Sequence, residues 1–383
     1  MQRQSYWLAI FAAAIALVVV HGFGRFVYTP LLPLLVHDGM LNLQQAADLA
    51  TWNYVGYLAG ALAALWAYRR QLTQSSLLSM LLANVLCSVL QAWTASYEWL
   101  AALRLFNGFS NGVVFVLAPA LVLEFLVARD KSQHSGLMYL GVGTGLLASQ
   151  FLVGLGADYL RGAMRWLPTA LLAIPLALWS AWYLYHLPQA QRAQTVMVNT
   201  PLWDKHSTPL FLAYAAAGLG YILPMTFLPA LAADWQLALK PSPWLLVALA
   251  SLPSTWAWNK LGARYGDKTA LLWNYALQGL GVTAVLLWPG QALGLCLCAT
   301  LVGGTFLGAV LLSQRHARSL HPHQGPRLSA ALVALYGFAQ LTGPFFAKQA
   351  LLAGFSLGHT FALGALALLV AFIFTWVMPG KSA

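Results

Sequence analysis

The sequence predicts an all-α membrane protein with twelve transmembrane helices in two six-helix bundles. Three observations carry that expectation. Of 383 residues, 60% are hydrophobic and only 8% charged, whereas a soluble chain needs roughly a quarter of its residues charged to cover its surface. Apolar segments of about 20 residues, enough to cross a bilayer, recur along the length, and the two halves share glycines at a constant offset. The alternation of apolar and polar residues that marks a transmembrane β-barrel is missing, which leaves helices as the spanning element. The 32 Gly and 18 Pro fit this class, because neighbouring membrane helices re-satisfy the backbone they disturb.

Charged or Pro/Gly-rich breaks delimit the spans in order. The first, 7–35, stops before His37-Asp38-Gly39; the second, 45–68, at Arg69-Arg70; the third, 74–95, before Glu98; the fourth, 98–127, at Arg129-Asp130-Lys131. Spans five and six, 133–157 and 164–187, flank Asp158 and Arg161, with Arg165 at the start of the sixth. The longest non-apolar stretch, Pro188 to His206, then joins a first bundle (1–187) to a second (207–383) as a linker (188–206). The second bundle reads as 207–233, 243–264, 269–289, 291–314, 328–352 and 357–378, separated by Asp234 to Ser242, Arg264 to Lys268, Pro289-Gly290, Arg315 to Arg327, and Gly354.

Lysine and arginine set the orientation. Fourteen fall on the side of the N-terminus and four (Arg161, Arg165, Lys240, Lys348) on the other. By the positive-inside rule both termini and the linker are cytoplasmic. The first span continues well past the length of a signal-peptide core without a small-residue cleavage site, so it is read as retained. Arg25 and Arg104 are the remaining two basic residues, and both fall inside spans.

A shift of 196 residues places Gly22 and Gly24 on Gly218 and Gly220, Leu32-Pro33 on Leu228-Pro229, Gly108 and Gly112 on Gly304 and Gly308, and Gly141 on Gly337. One offset for spans one, four and five implies parallel duplication of a six-helix unit, the kind of repeat from which transporter folds are built.

Composition excludes several classes. The formal charge of +11 comes from basic residues scattered between apolar segments, not from the clustered basic face that nucleic acid requires. Cys87, Cys296 and Cys298 lie in apolar runs, and residues two apart point to different sides of a helix, so they read as packing and no metal or cofactor is expected. No Gly-x-x-x-x-Gly-Lys-Ser/Thr loop for ATP is present, nor the His/Asp/Glu cluster of a membrane-embedded enzyme.

Two strings carry a family resemblance: Gly22-Phe-Gly-Arg25-Phe-Val-Tyr28-Thr29-Pro30-Leu-Leu-Pro33 and Asn53-Tyr54-Val-Gly56-Tyr57-Leu-Ala-Gly60. With twelve spans in six plus six, they resemble the YbfB/YjiJ-type branch of the major facilitator superfamily across essentially the whole chain. The resemblance implies a secondary transporter working by alternating access, with protons as the default energy source and spans one and four lining the central cavity. Arg104-Leu-Phe-Asn-Gly108 is similar to the Arg-x-x-x-Gly motif linked to proton coupling. The gating motif of the second-to-third loop is reduced to Tyr68-Arg69-Arg70. Its counterpart survives as Leu261-Gly-Ala263-Arg264-Tyr-Gly266-Asp267-Lys268, with Ala263 where the family acid is expected. Arg69, Arg70, Arg264 and Asp267 are therefore the expected gating residues. The Gly-Pro pair of the antiporter motif is missing from span five, so direction does not carry over.

Among single residues, an arginine inside a span must face a partner or a wet cavity. Arg25 and Arg104 read either as cations awaiting an anionic substrate group, for which the planar fork of arginine is suited, or as backbone-bonded residues that pin neighbouring helices. No acidic residue falls at the middle of any span. His21, one turn before Arg25, is the titratable candidate for proton coupling, with packing as its bland alternative. Asn53 and Tyr57 share a face of span two, and with Tyr28 and Gln340 they either orient a substrate or bond another helix. Gln150 and Gln278 are weaker cases. Asp48 reads as a helix cap in preference to a gate, and Glu124, close to Arg129 and Lys131 in sequence, as a structural ion pair. The Gly-x-x-x-Gly pairs read as close-packing faces, most Trp and Tyr as the interfacial belt, and Trp52, Trp256 and Trp258 carry no assigned role.

The expectation is thus an inner-membrane secondary transporter that moves a small organic anion, proton-linked and complete as a monomer. The alternative keeps the fold and exports uncharged or hydrophobic compounds.

Overall fold

The computed structural model describes residues 5–188, 203–320 and 325–378. Most of the expected linker, 189–202, lies outside them. Twelve helices follow one another: α1 Tyr6–His37, α2 Leu43–Arg69, α3 Thr73–Gln91, α4 Tyr97–Val127, α5 Leu140–Gly156, α6 Leu167–Tyr185, α7 Thr208–Asp234, α8 Pro243–Tyr265, α9 Asp267–Leu287, α10 Ala292–Leu320, α11 Gly325–Leu352 and α12 Leu357–Val377. Short 3-10 turns, Ser132–Tyr139 and Gly162–Trp166, lead into α5 and α6. By length and hydropathy nine of these segments qualify as membrane spans among the described residues; α2, α8 and α11 fall short. The chain divides into two compact units, Met1–Thr195 and Val196–Ala383.

In the first unit the tightest contact is α2 against α4, and glycine makes it. A Cβ on Gly56 would stand 1.9 Å from Leu105 O, on Gly60 2.0 Å from Phe109 O, on Gly108 2.0 Å from Asn53 O and on Gly112 2.2 Å from Tyr57 O. Each helix therefore presses its bare backbone into the other at two levels, as small-residue stripes allow. α1 meets α6 through Ala9, Ala12, Ala13 and Ala16 facing Ala173, Ala177 and Ala181, all buried, and Ser180 Oγ donates to Ala12 O at 2.8 Å. Gly22 of α1 abuts Gly145 of α5, where a Cβ would come within 2.5 Å of Gly145 Cα.

The second unit repeats the plan with different contacts. α8 and α10 meet where Gly303 faces Val247 O, while Gly308 seats the Trp258 indole, with a hypothetical Cβ 2.1 Å from the ring. Trp258 Nε1 and Ser254 Oγ both donate to Gly304 O, at 2.7 and 2.9 Å. Trp258, left without a role by the sequence, thus ties α8 to α10. α7 and α12 approach through Gly220 and Gly364.

Two local expectations are corrected, those for Asp48 and Arg165. The cap of α2 is Asn42, whose side chain accepts from Gln45 N while Gln45 Oε1 accepts from Asn42 N. Asp48 sits inside that helix and accepts the Tyr97 hydroxyl of α4. Glu124 accepts the Tyr68 hydroxyl of α2, while Arg129 bonds Phe125 O and stacks on its ring. Arg165, counted from the sequence as a loop charge, is buried in a forked pair with Asp38. Its Nε reaches Oδ2 at 2.6 Å and its Nη2 reaches Oδ1 at 2.9 Å, while Gly162 N donates to Oδ2.

That pair predicts an acid-sensitive unit. The Arg165 guanidinium, aided by Gly162 N–H, holds the Asp38 carboxyl well below the usual carboxylate range. A group whose folded pKa is depressed contributes stability that is complete above the unfolded value, about 4, and lost as pH falls below it. Thermal unfolding of the wild type should therefore weaken from pH 6 to pH 3 by more than that of Asp38→Asn, which starts lower. Parallel profiles for the two proteins would show that the pair adds no linked stability.

Candidate functional site

The middle of α1 is not an ordinary helix. Val18–Phe26 is π-helical, nine residues holding His21, Gly22, Gly24 and Arg25, and Val27 N closes an i to i+5 bond to Gly22 O at 2.8 Å. The sequence reading expected an uninterrupted span. π-Helical turns are rare and occur mostly at functional sites. Here neighbouring helices hold the distortion: Gly22 lets α5 close in, and Arg104 of α4 donates from Nη1 to Gly24 O at 2.9 Å.

Arg25 is 2% exposed. Its Cζ lies 4.5 Å from the centre of the Tyr57 ring, 4.6 Å from Tyr54 and 5.1 Å from Phe26. Stacking occupies the faces of a guanidinium, whereas its donors lie in the plane at the rim. Arg104, equally buried, stacks on Tyr28 with Cζ at 4.6 Å. Its main-chain oxygen accepts Asn53 Nδ2 at 2.9 Å, and its Nε has no hydrogen-bond partner among the described residues. Tyr28 donates its hydroxyl to Ala46 O at 2.8 Å. Two buried guanidinium groups thus belong to one cluster, since Arg104 bonds the residue that precedes Arg25.

Of the residues singled out by sequence, the fold brings His21, Arg25, Tyr28, Asn53, Tyr57 and Arg104 together in the first unit. Asn53 Nδ2 and the Tyr28 hydroxyl donate to main-chain oxygens of neighbouring helices. His21 Nδ1 is 3.1 Å from Asn111 Oδ1, and its ring stacks on Phe115 at 4.4 Å. Gln340 lies in the other unit, where its Nε2 donates to Tyr221 OH at 2.6 Å. Tyr221, the repeat counterpart of Arg25, stacks on Tyr336 and Phe306 at 5.4 and 5.9 Å. Gln278 bonds Thr305 Oγ1, tying α9 to α10.

Among the gating candidates, Arg69, Arg70 and Arg264 are exposed. Arg70 lies 6.0 Å from the Trp66 ring and Arg264 5.2 Å from Tyr265. Asp267 pairs with Arg315 of α10 through its Nε at 2.7 Å, and Arg315 Nη1 also reaches Asn259 Oδ1 at 2.7 Å. A charge cluster therefore exists here although Ala263 replaces the expected acid, and Arg315 is the partner that sequence reasoning missed. Also missed were Tyr54, one turn from the chosen Tyr57, and the buried amides Asn84, Asn107 and Asn111. Their signal was in the sequence as polar residues inside apolar spans.

Twelve helices in two six-helix units, nine of them long and apolar enough to cross a bilayer among the described residues, with charged and amide side chains buried inside the first, define a multi-pass membrane protein of the solute-carrying kind. The family model described as "Uncharacterised MFS-type transporter YbfB" matches residues 17–375, and the chain belongs to this family of major facilitator superfamily transporters. Its members are secondary transporters and not enzymes. Similar solved structures include a D-xylose-proton symporter, with TM-score 0.72 and 15% identity over 98% of this chain and 99% of that one. The nucleoside transporter NupG has TM-score 0.69 and 15% identity over 96% and 100%. The human organic anion transporter MFSD10 has TM-score 0.68 and 15% identity over 97% and 100%. No curated protein matches the chain. At these identities the likeness shows the fold alone.

Proposed function

We propose that the protein moves a small organic anion by proton-linked alternating access, as a monomer in the bacterial inner membrane, with both termini cytoplasmic. The observation that carries the anion is the cluster of two buried guanidinium groups in α1 and α4. Like charges withdrawn from water repel each other and lose their hydration, and an anionic cargo offsets both costs. Arg25 is the residue assigned to the cargo. Arg104, bound to Gly24 O, positions the π-helical segment that presents it. His21 is the proton site on the same segment; Arg69 and Arg70 are the gating residues of the first unit, and the Asp267 and Arg315 pair with Arg264 those of the second.

The rival reading, an uncharged cargo, has one observation in its favour: Arg104 bonds main chain and Arg25 stacks on three rings, so both have structural work. A thermal-shift panel of organic anions, amino acids, sugars, nucleosides and cationic drugs separates the two, because a ligand that binds the native state raises its melting temperature. Stabilisation by carboxylates is the expected result; stabilisation by sugars or nucleosides alone selects the rival.

The orientation rests on fourteen Lys and Arg against four. An impermeant thiol reagent applied to intact cells, on a background with the native cysteines removed, should label Lys240→Cys and spare Thr200→Cys. The reverse pattern overturns it.

A further inference from the structure

The buried amides of α3 and α4 form a file that ends on His21. Asn107 Nδ2 lies 3.2 Å from Ser88 Oγ and 3.4 Å from Asn84 O; Asn84 Nδ2 donates to Asn107 O at 3.0 Å and to Ser110 Oγ at 2.9 Å. One turn deeper on α4, Asn111 meets His21. One turn beyond Ser88, Gln91 closes α3 at the membrane side opposite the N-terminus. The side chains are sealed: Asn84, Asn107 and Asn111 are 0% exposed and Gln91 1%.

Among the described residues each of these amides keeps one polar atom without a hydrogen-bond partner: Gln91 Oε1, Asn107 Oδ1, Asn84 Oδ1 and Asn111 Nδ2. A buried polar atom left without a hydrogen bond bears its full desolvation penalty, and four in one file of a membrane protein is a large burden. The surplus is three acceptors and one donor. A metal cation takes acceptors only and leaves the Asn111 Nδ2 donor unmatched. Water donates twice and accepts twice, so it matches a mixed set, and buried waters characteristically bond such leftover groups.

We infer that this file is a water-filled proton path from the outer end of α3 to the His21 imidazole. A hydronium ion arriving along it gives its proton to the ring nitrogen and leaves as water; no other bond changes. Around the imidazole stand Asn111 and Phe115 of α4, Tyr57 of α2, and Phe26 and Arg25 of its own segment, with Tyr139 behind Phe115 and the glycine face of α5 at Gly22. Arg25 is the charged group among them. Asn111 acts here as a positioning residue, holding the ring by Nδ1.

The inference rests on the proton-linked reading, but its test needs no cargo. Deuterium exchange at the His21 imidazole C2 carbon, read by mass spectrometry on purified protein, requires water and protons at the ring. The wild type should exchange, and Asn107→Leu, which plugs the file, should lose most of that exchange while His37, on the exposed turn, is unchanged. Because Asn107→Leu can unfold, Ser88→Val is measured beside it and only protein with a cooperative melt is scored. A wild-type His21 that does not exchange, or Asn107→Leu and Ser88→Val proteins that both exchange at the wild-type rate, refutes the path. Cargo-driven alkalinisation in proteoliposomes tests proton linkage separately. If it is absent while His21 exchange depends on Asn107, the path stands and the proton-linked reading falls.

Discussion

Purified Arg25→Gln protein is expected to lose nearly all affinity for an anionic compound that stabilises the wild type, and Arg25→Lys most of it. A guanidinium gives an anion two parallel charge-assisted hydrogen bonds; an ammonium keeps the charge but not the fork. Hydrogen bonds to charged groups are worth about 1.5–3 kcal/mol each. Losing two therefore costs about 3 kcal/mol or more, roughly a hundredfold in Kd. Arg25 also packs on Tyr54, Tyr57 and Phe26, so a fall in melting temperature accompanies either reading. Affinity in the protein that remains folded is what separates them. Wild-type affinity of Arg25→Gln for a carboxylate ligand would sink the anion site and favour uncharged cargo.

Gly108→Ala should damage the first unit far more than Gly304→Ala damages the second, although the repeat makes the two positions equivalent. At Gly108 a single methyl would lie 2.0 Å from Asn53 O and would also disturb the Asn53 bond to Arg104 O. At Gly304 the nearest atom, Ala250 O, is 4.0 Å away. Relief at Gly108 requires α2 and α4 to separate, because the obstacle is backbone. Overpacking costs about 1–3 kcal/mol even where side chains can yield, so the loss at Gly108 should reach or exceed that. Melting temperature and gel filtration in detergent read the effect. Equal melting temperatures for both variants would show that α2 and α4 have room to relax.

The gross architecture was legible because a bilayer leaves a chain few choices. Every backbone polar group inside it must be satisfied internally, so long apolar segments become helices. Charge-rich breaks therefore located all twelve helices, including α2, α8 and α11, whose own hydropathy is marginal. Single residues were less legible. Arg25 and Arg104 stood out because a charge inside a span always needs a reason. Neutral amides such as Asn84, Asn107 and Asn111 did not, since their meaning depends on which atoms remain unbonded after helices pack. Arg315 was hidden for a related reason: a cytoplasmic arginine looks like topology signal until its partner Asp267, 48 residues earlier, is seen beside it.

The sequence by itself determined the membrane class, the helix order, the two-unit repeat and the pair of intramembrane arginines, because these follow from hydropathy, charge and identity at fixed spacing. Only the tertiary structure decided what each polar group is bonded to. It turned Val18–Phe26 into a π-helix, because Arg104 of α4 takes a carbonyl from that segment and Gly22 admits α5 beside it. It moved Asp48 from a cap to an interhelical acceptor, and it gave Gly108 and its repeat mate Gly304 opposite tolerance for a methyl group. The physical reason is common to all three: a hydrogen bond or a close approach is a relation between two helices, and no pattern along one of them contains it.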